Sequence, residues 1–319
     1  MKKLFFFMMA LLPAMMAWAD VEINEMNFPD ANFRAWLLSL EKGIDGKLTD
    51  KEIAGFTRII VDGSDIQSLK GIEFFSALEF LFCSGNQLTT LDVSKNKKLK
   101  ALWCWDNQLT TLDVSKNTKL MFLKCYGNQL TALNVSKNKK LIELNCNDNK
   151  LTTLDVSGCM ALESLQCGGN QLTTLDLSKN MVLYWLECEN NQLTTLDVSK
   201  VMELKHLYCY GNRLTTLDLS KNAALWIMEC QDNLLTALDM AKNTKLMFLK
   251  CYGNQIKDAG MDELVESLPM VSHGALDVMF IKDEGNVMTT NQVAAAKAKG
   301  WNPYYFDGKD WKEYVGSNK

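Results

Sequence analysis

The sequence predicts an α/β repeat solenoid, in which coils of about 21 residues stack on a parallel β-sheet between a helical N-terminal cap and an α/β C-terminal cap. Three observations predict it. Cysteine recurs at 83, 104, 125, 146, 167, 188, 209, 230 and 251, at one unvarying interval. Asparagine follows each cysteine by three residues, from Asn86 to Asn254. Leucine precedes each cysteine by two residues, with Met228 the one exception, and follows it by five, with Ile256 closing the series. Nine copies in register exclude chance.

One coil explains the spacing. In "LWCWDNQL" (102–109), Leu102 and Cys104 alternate with Trp103 and Trp105, so a short strand sends leucine and cysteine inward. The asparagine stands where the chain turns, and its amide is placed to bond the unpaired backbone of neighbouring coils. "LTTLDVSKN" then returns with Leu112 and Val114 alternating inward, which predicts a second extended segment opposite the first. A coil this short leaves little room for a long helix there. Written as L-x-x-L-x-C-x-x-N-x-L, the pattern matches the leucine-rich repeat consensus with cysteine in its third apolar slot.

The cysteines are therefore read as an internal column of small apolar side chains. Adjacent rungs lie nearly 5 Å apart, whereas the Cβ atoms of a disulfide sit about 3.8 Å apart, so rung-to-rung bridges are not expected. A straight file also lacks the converging ligands that tetrahedral zinc needs. Cys159 stands apart: it occupies the column of Asn96, Asn117, Asn138 and Asn180 and is read as a lone thiol. A degenerate coil, 58–78, precedes the array with Val61 in the cysteine slot, giving about ten coils and roughly 45 Å of stacked rungs.

A stack of this kind exposes apolar core and strand edges at both ends, and each end needs a lid. Residues 1–19, "MKKLFFFMMALLPAMMAWA", read as a secretory signal peptide with two lysines, a short apolar run and small residues at the cleavage point. Residues 20–57 read as the helical N-terminal cap. "FPDANFRAWLLSL" gives a helix opened by Pro29 or Asp30, with Phe33, Trp36, Leu37 and Leu40 on one face. "LTDKEIAGF" gives a second, short helix with a Thr49–Glu52 capping box. Between them, 41–52 has the frame of a calcium-binding EF-hand loop, yet Glu41 and Gly43 stand where aspartates belong, so it is read as a relic turn. Residues 58–256 form the array, and 257–319 the α/β cap. There "DAGMDELVESLP" reads as helix, "GALDVMFI" as strand, "NVMTTNQVAAAKAKGW" as helix and "PYYFDGKDWKEYVG" as a hairpin turning at Asp307-Gly308, with the unit covering the last rung.

Bulk properties exclude several functions. Without Lys2 and Lys3 the chain has 32 basic and 38 acidic residues, a net charge of −6, which argues against a nucleic-acid partner. No run after the leader is apolar for long enough to span a bilayer. Two histidines, His206 and His273, no phosphate-binding loop and no nucleophile elbow give catalysis no foothold, and no cofactor is expected. A file of aspartates (92, 113, 155, 176, 197, 218, 239) runs down the return side with Asn134 in the gap. A lysine three residues after most of them makes this a solvated, charge-alternating face, not a row of calcium sites.

The positions three and one before each cysteine, and one after it, point outward. They are rich in aromatics: Phe80 and Phe82, Trp103 and Trp105, Phe122 and Tyr126, then, past a polar stretch, Trp185, His206, Tyr208, Tyr210, Phe248 and Tyr252. The repeat does not require aromatics there, and exposed aromatic patches are how interfaces and sugar platforms are built. Cross-rung stacking is the purely structural alternative. These twelve residues are the candidate ligand-binding set, expected to be solvent-exposed and cheap to truncate. Trp103, Trp105, Tyr208 and Tyr210 are expected at the centre of the strand, where a partner's approach is least obstructed. Part of the pattern reflects duplication, since "NTKLMFLKCYGNQ" occurs identically at 117–129 and 243–255.

The array motif "LxCxxNxLTxLDVSxN" resembles the cysteine-ladder internalins, bacterial surface leucine-rich repeat proteins. "NFPDANFR", "DGKLTDKEI" and "SLKGIEFF" resemble the capping region of secreted leucine-rich repeat proteins of gut bacteria. The resemblance covers about residues 24–255. It implies a secreted or extracytoplasmic protein, at the cell surface or in the periplasm, that acts in binding or adhesion and carries no catalytic residues. The chain lacks a sortase-type LPxTG motif, so stable wall attachment is not expected. The expected partner is an extracellular protein or, on the same Trp/Tyr platform, a surface glycan; oligomeric state is left open.

Overall fold

A computed structural model describes residues 20–280 and 285–317; the signal-peptide segment lies outside the described residues. At the N-terminal end, strand β1 (Val21–Glu22) pairs antiparallel with β2 (Lys47–Leu48) on either side of helix α1 (Ala31–Ser39). Asp30 caps α1: one carboxylate oxygen accepts the N–H groups of Asn32 and Phe33, and the other accepts those of Gln67 and Ser68. One side chain thus starts the helix and ties it to the first coil. Helix α2 (Asp50–Ala54) opens with the capping box of Thr49 and Glu52, whose carboxylate accepts both the N–H and the O–H of Thr49. The glutamate at the twelfth position of the EF-hand-like frame is therefore engaged as a helix cap. Phe28, Phe33, Leu37, Phe56 and Phe75 fill the space between these helices and the stack.

The array is a ladder of three-residue strands: β3 (Arg58–Ile60), β4 (Phe80–Phe82), β5 (Ala101–Trp103), β6 (Phe122–Lys124), β7 (Glu143–Asn145), β8 (Ser164–Gln166), β9 (Trp185–Glu187), β10 (His206–Tyr208), β11 (Ile227–Glu229) and β12 (Phe248–Lys250). Each pairs in parallel with the next, and from β4 onward the partners stand one repeat apart, as Phe80 and Ala101 do. Leucines 81, 102, 123, 144 and their successors are buried, as are all nine ladder cysteines, which are free thiols. Val61 fills the cysteine slot of the first coil.

The asparagines hold the coils together. Asn107 donates its amide to the carbonyls of Cys83, Cys104 and Trp105 and accepts the N–H of Leu88, joining two coils through one buried side chain. Asn286, in the C-terminal unit, repeats this role for the last coil by accepting the N–H of Ile256 and donating to Cys251 and Val278. On the return side a second asparagine column donates to backbone carbonyls of the preceding coil, as Asn117 does to Val93 and Asn96. Cys159 occupies this second column, buried, with its sulfur 3.6 Å from the Val135 carbonyl and 3.8 Å from that of Asn138.

The structure adds two features to the sequence reading. Leu112 and Val114 point inward as expected, and among the described residues the return segments turn at 115–116 and 118–119 and make no strand pairing with one another. Each aspartate of the file folds back onto the N–H two residues on, as Asp113 does to Ser115, and a chain turned locally in this way offers no ladder. The C-terminal unit, consisting of α3 (Ala259–Ser267), β13 (Gly274–Phe280), α4 (Thr290–Ala298), β14 (Trp301–Phe306) and β15 (Trp311–Glu313), covers the last rung at its strand edge. Its strands continue the sheet, β13 and β14 in parallel and β15 antiparallel, to make thirteen strands in sequence order.

A further regularity concerns the residue two after each cysteine, which sits in the left-handed region in every coil of the ladder. Glycine and Asp/Asn alternate there: Gly85, Asp106, Gly127, Asp148, Gly169, Asn190, Gly211, Asp232, Gly253. A Cβ at Gly127 would lie 2.1 Å from the Asp106 carboxylate oxygen, and one at Gly169 2.3 Å from that of Asp148. Each acidic or amide side chain thus leans into the space its glycine neighbour leaves free.

Candidate functional site

The outward face of the sheet is built by alternation: leucine and cysteine turn in, so the residues on either side of them turn out. The strands end at the residue before cysteine. Trp103 and Tyr208 are therefore terminal strand residues, while Trp105, Tyr126, Tyr210 and Tyr252 stand two residues beyond the strand, just before the bend. None of these is at the strand centre, where alternation alone places Trp103, Trp105, Tyr208 and Tyr210.

All twelve candidate residues are half-buried, not fully exposed. The reason is contact across rungs. Phe82 stacks on Trp103 at 4.3 Å between ring centroids, and Trp105 on Tyr126 at 5.2 Å with planes 5° apart. The Arg58 guanidinium covers Phe80 at 4.9 Å, the Lys124 ammonium lies 5.2 Å from the Trp103 ring, and Ala101 is buried between the rungs carrying Phe80 and Phe122. In the second cluster Trp185 meets His206 at 4.3 Å and Tyr208 at 5.6 Å. Phe248 lies under Lys250, and Tyr252 meets Trp311 of β15 at 5.6 Å. The structure therefore brings the candidates together as two groups.

Between them runs a polar centre. Asn145 donates to Gln166, Gln166 to Glu187, and Asn147 reaches two coils on to the same Glu187 carboxylate, which also accepts from the Trp185 indole. Lys124–Glu143 at 2.9 Å and Lys250–Glu229 at 3.4 Å are ion pairs between neighbouring rungs. Glu189 differs from these: its carboxyl leans over Gly168, and one oxygen is buried without a hydrogen-bond partner. Burial, reinforced by Glu187, Asp148 and Glu229, pushes its pKa up to about 7. Burial first, and then acids including Glu189 and Glu229, pushes the Tyr210 hydroxyl up to about 12. Burial and Lys205 hold His206 below the usual imidazole range, and its Nδ1 is buried without a partner. The Trp103 indole N–H is likewise buried and unpaired.

Sequence reasoning misses three neighbours of this face. Arg58 belongs to the degenerate coil, outside the cysteine register. Trp311 comes from the C-terminal hairpin. Trp226, 50% exposed and set edge-on to His206, lies four residues before its cysteine, just outside the triplet of outward positions. The signal for Trp226 is weak in the repeat: other coils carry glutamate, lysine, methionine, isoleucine or tyrosine there.

Among the described residues no three His, Cys, Asp or Glu side chains converge as a metal site would require, and no helix is long and apolar enough to cross a membrane.

Solved structures with the same architecture include an internalin, InlF, from Listeria monocytogenes, 19% identical over 92% of this chain and 100% of that one, with a TM-score of 0.57. A leucine-rich repeat protein of Leptospira interrogans is 21% identical over 74% of this chain and 63% of that one, with a TM-score of 0.62. This is a leucine-rich repeat fold. The functional domain of InlJ from Listeria monocytogenes, which includes a cysteine ladder, is 24% identical over 90% of this chain and 81% of that one, with a TM-score of 0.42. No protein-family model matches the chain, and no curated protein does.

Proposed function

We propose that the protein is an exported recognition module, not an enzyme, that binds an extracellular protein through the aromatic strand face. The observation that carries this reading is the pair of aromatic clusters flanking a hydrogen-bonded polar centre on one continuous sheet face. Half-buried aromatics held in fixed rotamers cost little entropy when a partner covers them, and they dominate binding energy at protein interfaces. Export is read from the segment 1–19 and its charged, apolar and small-residue regions.

The ring arrangement favours a protein over a sugar. A pyranose packs on an open ring face, whereas Phe82–Trp103 and Trp105–Tyr126 already spend ring faces on each other. What these stacks leave for a partner is edges and rims, with Lys124, Glu143, Glu229 and Lys250 close by to set orientation.

The test is one double variant measured two ways. After a screen of the wild-type chain against extracellular proteins and a glycan array, Trp103→Ala with Trp105→Ala should weaken protein binding by about 2 kcal/mol or more. Because both rings are stacked, the pair should also lower stability, by roughly 1–3 kcal/mol, instead of the near-zero cost expected of exposed positions. Unchanged affinity in a variant that has lost stability would make the rings scaffolding only. A glycan signal without a protein signal would move the reading to carbohydrate.

A further inference from the structure

A second surface, on the edge of the stack away from the sheet face, has its own chemistry. The turn between the return segment and the strand follows one pattern in most coils: an aspartate, a lysine three residues later, a buried asparagine or its replacement, then two outward residues. Strict register makes equivalent positions neighbours one rung apart, as the asparagine column shows by donating across coils. Charge alternation fails along part of this edge. One coil sets Asp92 against Lys95, Lys97 and Lys98, and the next sets Asp113 against Lys116 and Lys119. The third has Asn134 in place of the acid, beside Lys137, Lys139 and Lys140. The three turns hold eight exposed lysines against two aspartates, in a chain whose formal net charge is −4.

The following three coils change character at the two outward positions. Lysine gives way to Met160 with Ala161, Met181 with Val182, and Met202 with Glu203. The three methionines are 62, 60 and 59% exposed, a file of flexible apolar side chains projecting from a turn. Tyr184, also exposed, sits where one of these coils bends back toward the strand. Lys179 and Lys200 flank the methionines on the same turns.

We propose that this edge binds an anionic lipid surface, the lysine coils meeting headgroup phosphates and the methionine coils entering the interface. Three features select that partner. The local excess of positive charge complements an anionic surface, against the sign of the whole chain. The apolar residues project from turns and do not line a groove, so a deformable medium accepts them where a rigid partner would need a matching pocket. Basic and apolar stretches lie on one edge of a single stack, so one flat surface meets both. The proposal is independent of the aromatic face, which points elsewhere.

Flotation of the chain from Asp20 to Lys319 with vesicles of phosphatidylcholine alone or mixed with phosphatidylglycerol tests it. Binding is expected on the anionic vesicles only, and should weaken as salt rises. Lys137→Gln, Lys139→Gln and Lys140→Gln together should reduce it about a hundredfold. Met160→Ser, Met181→Ser and Met202→Ser together should reduce it about tenfold at an unchanged melting temperature. Absence of binding to anionic vesicles, or lysine and methionine variants that bind like the parent, overturns the proposal. So does light scattering that shows a dimer dissolved by the methionine variant, which would assign the patch to a second copy of the chain.

Discussion

At the scale of single residues, the ladder works because the turn asparagines give buried backbone groups fixed partners, while the cysteines fill the space between coils as small apolar side chains. The cysteine column lies in an apolar interior, so burial pushes the Cys146 and Cys209 thiols up to about 12. The sign of the pH effect follows. A thiol whose folded pKa is raised gives its full stability below the unfolded value, near 8.5, and that stability is lost as pH rises toward the folded value. Melting temperature should hold to about pH 8 and then fall steeply, each thiol that ionises only on unfolding adding about 1.4 kcal/mol per pH unit. A flat profile to pH 10 would contradict burial of the column. Cys146→Ser should cost roughly 1–3 kcal/mol, read by denaturant melts at neutral pH, because a hydroxyl in the same place lacks an acceptor of its own. Asn128→Ala should cost more, roughly 3 kcal/mol. It removes one of the donors to the carbonyls of Cys104, Cys125 and Tyr126 and leaves the buried N–H of Leu109 without its acceptor.

At the scale of elements, the strand face is a set of side chains packed against each other across rungs, and Glu189 is among those with a buried atom left unpaired. Its folded pKa of about 7 lies above the ordinary carboxylate value, so the protonated form is the one the fold prefers. Stability from this group is present below about pH 4 and is lost as pH rises through about 7. Glu189→Gln should therefore stabilise the protein at pH 8, by about 1 kcal/mol, and make little difference at pH 4; thermal melts at both values decide it. The strands themselves are legible in the sequence, since a fixed period with alternating inward residues leaves one register. Legible too are both capping boxes' helices, because Thr49 with Glu52, and the "TTNQ" start of α4, are local signals. The half-burial of Trp103 and Tyr208 is not. Alternation gives a side chain's face, while stacking on the next rung depends on rotamers and on what that rung carries.

At the scale of the molecule, the coils and their two flanking units share one hydrophobic core and, from β3 to β15, one sheet. A strand of the C-terminal unit reads as a strand from its own residues, but nothing local states that its partner is β12. That choice follows from the open edge the array leaves, which β13 pairs and Asn286 seals. The lack of strand pairing between the described return segments is hidden in the same way. Inward alternation of Leu112 and Val114 is the same whether or not neighbouring return segments exchange hydrogen bonds.

The alternation of glycine with aspartate or asparagine after the ladder cysteines gives the stack a parity. Its smallest interchangeable unit is two coils, so such an array should lengthen and shorten by even steps. The identical segments at 117–129 and 243–255 lie six coils apart, a whole number of such units. Deleting 107–127 would set Asp148 beside Asp106, where any Cβ meets a carboxylate oxygen at about the 2.1 Å that Gly127 now avoids. Deleting 107–148 instead sets Gly169 there and keeps the pairing intact. The longer deletion should therefore leave the more stable protein, by calorimetry, although it removes twice as much of the core. An order of stabilities that simply followed chain length would show that parity has no energetic hold on the stack.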